Sequence, residues 1–116
     1  MLAVWLIRGG VSLTMIVFGL NEMANPNAWL QYIPESLRRS SPIAPATSMR
    51  LHALGNIAFG LFLIAGNFHP LIAAWVAIIW WVSILPFAFK VKWDIGMRDL
   101  TIVAALAALI SLLNIK

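Results

Sequence analysis

The chain has 116 residues, of which 62% are hydrophobic and 10% are charged, and it carries a formal net charge of +4. Soluble globular proteins are about 45–50% apolar and about 25% charged, and a chain this short buries a smaller share of its surface than a large one. This composition excludes a soluble enzyme and a disordered tail, and it indicates one domain embedded in lipid.

Apolar stretches separated by polar segments predict four membrane-spanning helices in one transmembrane domain over residues 1–116. Crossing about 30 Å of hydrocarbon takes about 20 helical residues. The first stretch has a length that also suits a signal sequence, but no basic residue precedes Arg8, so we expect a retained helix. The predicted helices cover approximately residues 2–22, 48–66, 70–89 and 95–114.

The connections predict an all-α, antiparallel four-helix bundle. Residues 67–69, followed by Pro70 at the first helical position, suit a tight turn between the second and third helices. The connection between the first and second helices is much longer and is rich in proline. Its Trp29 and Tyr32 suit the membrane–water interface, so we predict a long interfacial loop here.

The distribution of basic residues predicts the orientation of the bundle. Arg8 and Lys116 lie on the side of the termini, whereas six cations flank the first and third connections: Arg38, Arg39, Arg50, Lys90, Lys92 and Arg98. Cytoplasmic loops carry the excess of Lys and Arg. We therefore expect a protein of the plasma membrane with the long loop in the cytoplasm and both termini outside.

A cluster of polar residues is predicted at the end of the bundle next to the long loop: Glu22, Arg50, His52, Asn56, Arg98 and Asp99. One interpretation is a pocket in which the carboxylates exchange protons, the arginines hold a head group and His52 hydrogen-bonds a quinone oxygen. The other is structural: the arginines extend to the interface and the carboxylates neutralise them. The structural interpretation is favoured for the cluster as a whole, and both stay open.

A second set of residues is predicted to contact lipid or a partner subunit: Arg8, Trp29, Tyr32, Trp75, Trp80 and Trp81. Arg8 is expected to reach lipid phosphate or the carbonyl end of the fourth helix near Asn114. The Trp80–Trp81 pair lies in the middle of its helix, where packing is expected before stacking on a cofactor. The sequence contains no nucleophile–base constellation, phosphate loop or metal motif, and no cysteine, so no catalytic, metal or covalent cofactor site is predicted.

Several short motifs, taken in order, resemble the DoxX-like family of small membrane proteins. They comprise Arg8 in the first span, Gly19-Leu20-Asn21-Glu22, Asn25-Pro26, Trp29, Tyr32-Ile33-Pro34, Gly55-Asn56, Gly60-Leu61, and Asp94 to Leu100 at the start of the last span. The resemblance implies a four-helix membrane bundle. It also implies a kinship with proteins that are similar to the membrane subunit of a thiosulfate:quinone oxidoreductase or that associate with redox complexes.

Three functions are compatible with these observations. The favoured one is a non-catalytic accessory subunit of a larger respiratory or redox membrane complex. The first alternative is a quinone-associated subunit of an oxidoreductase, with the polar cluster as the head-group pocket. The second alternative is a small homo-oligomeric transporter or lipid-binding protein. The expected partners are membrane lipids and other membrane subunits or further copies of the chain, and not nucleic acid, because the charges are sparse and flank apolar stretches.

Overall fold

The computed structural model describes residues 2–115, and within this range it is helical without strands. Its elements are α1 (Leu2–Ala24), a 3-10 helix (Pro26–Tyr32), α2 (Glu35–Ser40), α3 (Pro45–Ala65), α4 (Pro70–Val91) and α5 (Trp93–Leu113). The helices α1, α3, α4 and α5 are long and apolar enough to cross a membrane. The predicted all-α membrane fold with four spanning helices is confirmed.

Proline defines the beginning of two spanning helices. Pro45 and Pro70 lie in the first turns of α3 and α4, where a missing backbone N–H is harmless and the fixed φ angle favours the helix. For this reason α3 begins at Pro45, before the predicted start near residue 48. Helix α3 therefore begins earlier in the chain than hydropathy alone predicts.

The connection between α1 and α3 is folded. It contains the 3-10 helix and α2, and we call residues 26–43 the cap. Trp29 anchors the cap to α1, since its Nε1 donates to Asn21 Oδ1 at 2.7 Å and its ring lies 5.5 Å from that of Phe18. Tyr32 extends this aromatic group, with its ring 5.2 Å from Trp29. The position of the connection at a membrane interface stays a prediction.

The bundle consists of two closely packed helix pairs, α1 with α3 and α4 with α5. The two pairs meet less extensively, between α1 and α5 and between α3 and α4, although α3 and α4 are neighbours in sequence. Small residues allow the close approach of α1 and α3: a Cβ on Gly60 would lie 3.1 Å from Met15 Cβ. The buried core between the pairs contains Met15, Leu63, Ala74, Trp81, Leu106 and Leu109.

The outer surface of the bundle is apolar. Leu6, Leu13 and Ile79 each expose more than 60% of their area, and further large apolar side chains are exposed on every spanning helix. Water does not stabilise such a surface, whereas acyl chains do. The exposed residues therefore agree with a small integral membrane protein.

Candidate functional site

A cavity of about 450 Å³ lies at the end of the bundle beneath the cap. The cap, α1, α3, α4 and α5 all contribute to its wall. Most of the wall is apolar and much of it aromatic, including Phe18, Trp29, Met49, Trp81, Ile84 and Phe87. Pockets for small organic ligands are commonly about 300–1,000 Å³ and mainly apolar, with a few placed polar groups. The cavity has the size and character of such a pocket.

The polar part of the wall centres on Glu22, whose side chain is buried. Asn56 Nδ2 donates to Glu22 Oε1 at 2.7 Å, and His52 Nδ1 lies 2.8 Å from Glu22 Oε2. Trp80 Nε1 donates to Asn56 Oδ1 at 2.7 Å. Three helices thus contribute to one hydrogen-bonded group inside the bundle, and Glu22, His52 and Asn56 line the cavity.

Helical periodicity and two glycines explain this arrangement. His52 and Asn56 are one turn apart on α3 and share a face. Gly19, one turn before Glu22, permits α1 to approach α3, because a Cβ there would lie 2.8 Å from the Ala53 carbonyl oxygen. The absence of a side chain at Gly55 leaves room for the Trp80 ring, which a Cβ would strike.

Aromatic contacts hold the His52 ring in place. It stacks on Trp80 with ring centroids 4.9 Å apart and an interplanar angle of 25°. Phe59 meets the same Trp80 ring edge-on at 4.9 Å. The imidazole is therefore fixed by one stacking contact and one hydrogen bond, and its side chain remains about one third exposed.

Asp99 also lines the cavity, from α5. It is buried and accepts a hydrogen bond from Arg98 Nε at 3.0 Å. Arg98 itself does not line the cavity: its guanidinium lies 5.1 Å from the Phe18 ring centroid, in a shallow groove on the outer surface between α1 and α5. The structural interpretation therefore applies to Arg98, which neutralises Asp99.

Arg50 is not part of the cavity. It is exposed and precedes His52 by two residues, which rotates it by about 200° around a helix of 3.6 residues per turn. The predicted pocket in which Arg50 and Arg98 hold a head group is therefore corrected. The cavity contains the other four predicted residues, Glu22, His52, Asn56 and Asp99.

Arg8 lies at the opposite end of the bundle and is 4% exposed. Its guanidinium donates to the carbonyl oxygens of Leu63 and Ile64 at 2.9 and 3.2 Å, and to Asn67 Oδ1 at 3.0 Å. The predicted contact with lipid or with the end of the last helix is corrected. Arg8 instead binds the carbonyl end of α3, because α1 pairs with α3.

The aromatic residues predicted to face lipid or a partner have different positions. Trp75 is half exposed on α4 and is open to such a contact. Trp81 is 2% exposed, which corrects the prediction for this residue in favour of core packing. Trp29 and Tyr32 line the cavity from the cap.

Two residues of the site were assigned other roles from the sequence, and the prediction that Trp80 contacts lipid or a partner is corrected. Trp80 is part of the polar group, and its position along the chain could have indicated this. Asn56 lies ten residues before residue 66 and Trp80 ten residues after residue 70, so the two lie at the same depth in the antiparallel pair of α3 and α4. A buried indole N–H needs an acceptor. Arg38, which lines the cavity from α2, was considered only for its charge.

Comparison with known proteins identifies one family. The sequence model of the DoxX family matches residues 3–93, which includes α1, the cap, α3, α4 and the side chains of Glu22, His52, Asn56 and Trp80. Searches of curated proteins and of solved structures return no match. With the four apolar helices and a match over most of its length, the chain belongs to the DoxX family of membrane proteins.

Proposed function

We propose that this DoxX-family protein binds a membrane quinone in the cavity beneath the cap and serves as the quinone-associated subunit of an oxidoreductase. The observation that carries the proposal is the Glu22–His52 pair, a carboxylate and an imidazole 2.8 Å apart, in the wall of an otherwise apolar cavity. Ionisable groups at membrane depth are expensive and commonly functional.

The chemistry of the wall suits a quinone. Such a ligand has a flat ring with two oxygens and an apolar tail. The aromatic side chains of Phe18, Trp29 and Phe87 offer faces and edges for the ring. Glu22, His52 and Asn56 offer polar partners to the head group, and the apolar side chains of the wall surround the rest of the ligand.

The same chemistry supports the role of an accessory subunit. Interconversion of a quinone and a quinol moves two electrons and two protons. Glutamate and histidine side chains exchange protons, so the proposal assigns the electrons to a partner protein that carries a redox centre. Trp75 and Trp93, which are 50% and 75% exposed, provide aromatic surface for such a partner.

We also propose that the protein lies in the plasma membrane with the cap in the cytoplasm and both termini outside. Four spans bring the termini to one side. The support is the excess of arginine and lysine in the cap, at Lys92 and in the adjoining ends of α3, α4 and α5, against Arg8 and Lys116 on the side of the termini.

Binding of a short-chain ubiquinone, in its oxidised and in its reduced form, to the purified protein in nanodiscs tests the quinone proposal. The chain has only two histidines, and His69 is exposed in the turn at the other end of the bundle. His69→Ala is therefore a matched control for His52→Ala. We expect calorimetric binding of at least one redox form to the wild type and to His69→Ala, and a loss of about tenfold or more for that form in His52→Ala, since one polar partner is removed.

Two results would contradict this proposal: no binding to the wild type, or equal affinity in both histidine variants.

A separate experiment addresses the partner. The native protein is purified from its membrane in mild detergent, and mass spectrometry identifies the proteins and lipids that accompany it. Co-purification of a stoichiometric redox protein supports the accessory role. A protein that elutes alone, with lipid but no quinone, favours the lipid-binding alternative.

A further inference from the structure

Four side chains form a closed group, and three of them, Glu22, His52 and Asn56, line the cavity. Trp80 donates to Asn56, Asn56 donates to Glu22, Glu22 is bonded to His52, and the His52 ring stacks back on Trp80. The residues come from α1, α3 and α4. The indole and amide groups donate or accept at fixed atoms, so the direction of each hydrogen bond follows from that of the bond between Trp80 and Asn56.

The indole of Trp80 sets the direction because its N–H donates and never accepts. Asn56 must therefore present Oδ1 to Trp80, which leaves Nδ2 for Glu22 Oε1 at 2.7 Å. An amide Nδ2 only donates, so Glu22 Oε1 only accepts.

One proton remains to be placed, between Glu22 Oε2 and His52 Nδ1, which are 2.8 Å apart. An ionised carboxylate only accepts, so beside it a neutral ring places this proton on Nδ1. A neutral imidazole carries one N–H, so its Nε2 is then a hydrogen-bond acceptor. Within residues 2–115 the ring makes no second hydrogen bond, and the shape of the ring directs Nε2 away from Glu22.

Taking the quinone cavity of the proposed function as given, we propose that it selects the reduced ligand, a quinol, whose hydroxyl donates to His52 Nε2. A quinone carbonyl oxygen only accepts hydrogen bonds, so its lone pairs would repel the lone pair of Nε2. His52 contacts the ligand in this proposal, whereas Trp80 and Asn56 are positioning residues that act through Glu22. The other ionisable side chains lining the cavity are Tyr32, Arg38 and Asp99, and none of them is hydrogen-bonded to the ring.

Nitrogen NMR of the imidazole tests the placement of the proton without any ligand. The variant His69→Gln leaves His52 as the only histidine, so its two ring nitrogens are observed alone. In the pH range where the spectrum shows a neutral ring, we expect the proton on Nδ1. In Trp80→Phe, which keeps an aromatic ring but lacks the N–H, we expect a mixture of both tautomers, whereas Trp75→Phe on the exposed face of α4 retains the pattern of the parent.

Affinities for the two redox forms of one short-chain ubiquinone test the selection. At a pH where the ring is neutral, we expect the quinol to bind about tenfold more tightly than the quinone, since the quinone offers the Nε2 acceptor no donor. Trp80→Phe should lose this preference, and Trp75→Phe should keep it. Both variants should show similar thermal unfolding if Trp80 acts by positioning.

A proton on Nε2 in the parent protein, or equal affinity for the two forms, would overturn the inference. Binding of neither form would reject the proposed function and the selection with it. In that event the NMR result still decides whether Trp80 and Asn56 orient the Glu22–His52 pair, so the two failures are distinguishable.

Discussion

Arg8 illustrates how a spanning helix accommodates a buried charge. The last turn of a helix leaves carbonyl groups without intrahelical partners, and its partial negative charge attracts cations. Arg8 donates to two such carbonyls and to Asn67 at the end of α3, and its guanidinium lies 4.5 Å from the Trp5 ring centroid. The charge is thus satisfied by backbone dipoles, an amide oxygen and an aromatic face.

Removal of this side chain should destabilise the bundle. We expect Arg8→Ala to lower the free energy of unfolding by about 2–4 kcal/mol, because buried carbonyl groups lose a charged donor. Arg8→Lys should lose less, since it keeps the charge but not the planar fork of donors. Reversible unfolding in mixed detergent micelles measures both.

Arg50→Ala is the control for the Arg8 variants. Its side chain is exposed, and substitutions at such positions usually change stability by no more than about 0.5 kcal/mol. Equal stability of Arg8→Ala and Arg50→Ala would show that the hydrogen bonds to α3 contribute nothing measurable.

At the scale of the elements, the contact between α1 and α3 depends on glycine. A Cβ on Gly19 would lie 2.6 Å from Ile57 Cγ1 and 2.8 Å from the Ala53 carbonyl oxygen. Backbone cannot move aside as a flexible side chain can. Small residues at such interfaces are how helices approach closely in lipid, where the hydrophobic effect gives no net attraction between them.

Gly19→Ala should therefore separate α1 from α3 and destabilise the protein by about 1–3 kcal/mol, the usual cost of overpacking. Gly10→Ala is the matched control on the same helix, since a Cβ there has no atom within 4 Å, and alanine is the better helix former by about 1 kcal/mol. Thermal unfolding of the two variants in the same detergent measures the difference. The expectation fails if Gly19→Ala unfolds at or above the temperature of Gly10→Ala.

Hydropathy identified the four spanning helices because each is a long apolar segment, a signal that needs no tertiary information. The 3-10 helix and α2 are different. Their residues are mixed in polarity and they are short, so that contacts such as Trp29 with Asn21 and Phe18 decide their conformation. The sequence predicted a long interfacial loop for this connection and did not indicate the 3-10 helix.

For the whole molecule, the polar cavity could be predicted only in part. Glu22, His52 and Asn56 share one end of the bundle by chain position alone, and the structure joins them. Which helices are neighbours is a tertiary property. This explains why the acceptors of Arg8 were predicted on the wrong helix and why Trp80 was not connected to Asn56.

The orientation of the bundle is testable because the chain contains no cysteine. We expect Phe68→Cys, in the turn between α3 and α4, to react with a membrane-impermeant maleimide in intact cells. Ser36→Cys, in the cap, should react only after the membrane is permeabilised. Both native side chains are exposed, and the wild type controls for background labelling. The reverse pattern would place the cap outside.

The pairing of α1 with α3 has a consequence for synthesis at the ribosome. Leu63, the first acceptor of Arg8, follows it by 55 residues, so α1 reaches the membrane before the groups that satisfy its charge. The last two helices differ, since α5 follows its partner α4 directly. During synthesis Arg8 therefore has none of these partners until α3 has joined α1 in the membrane.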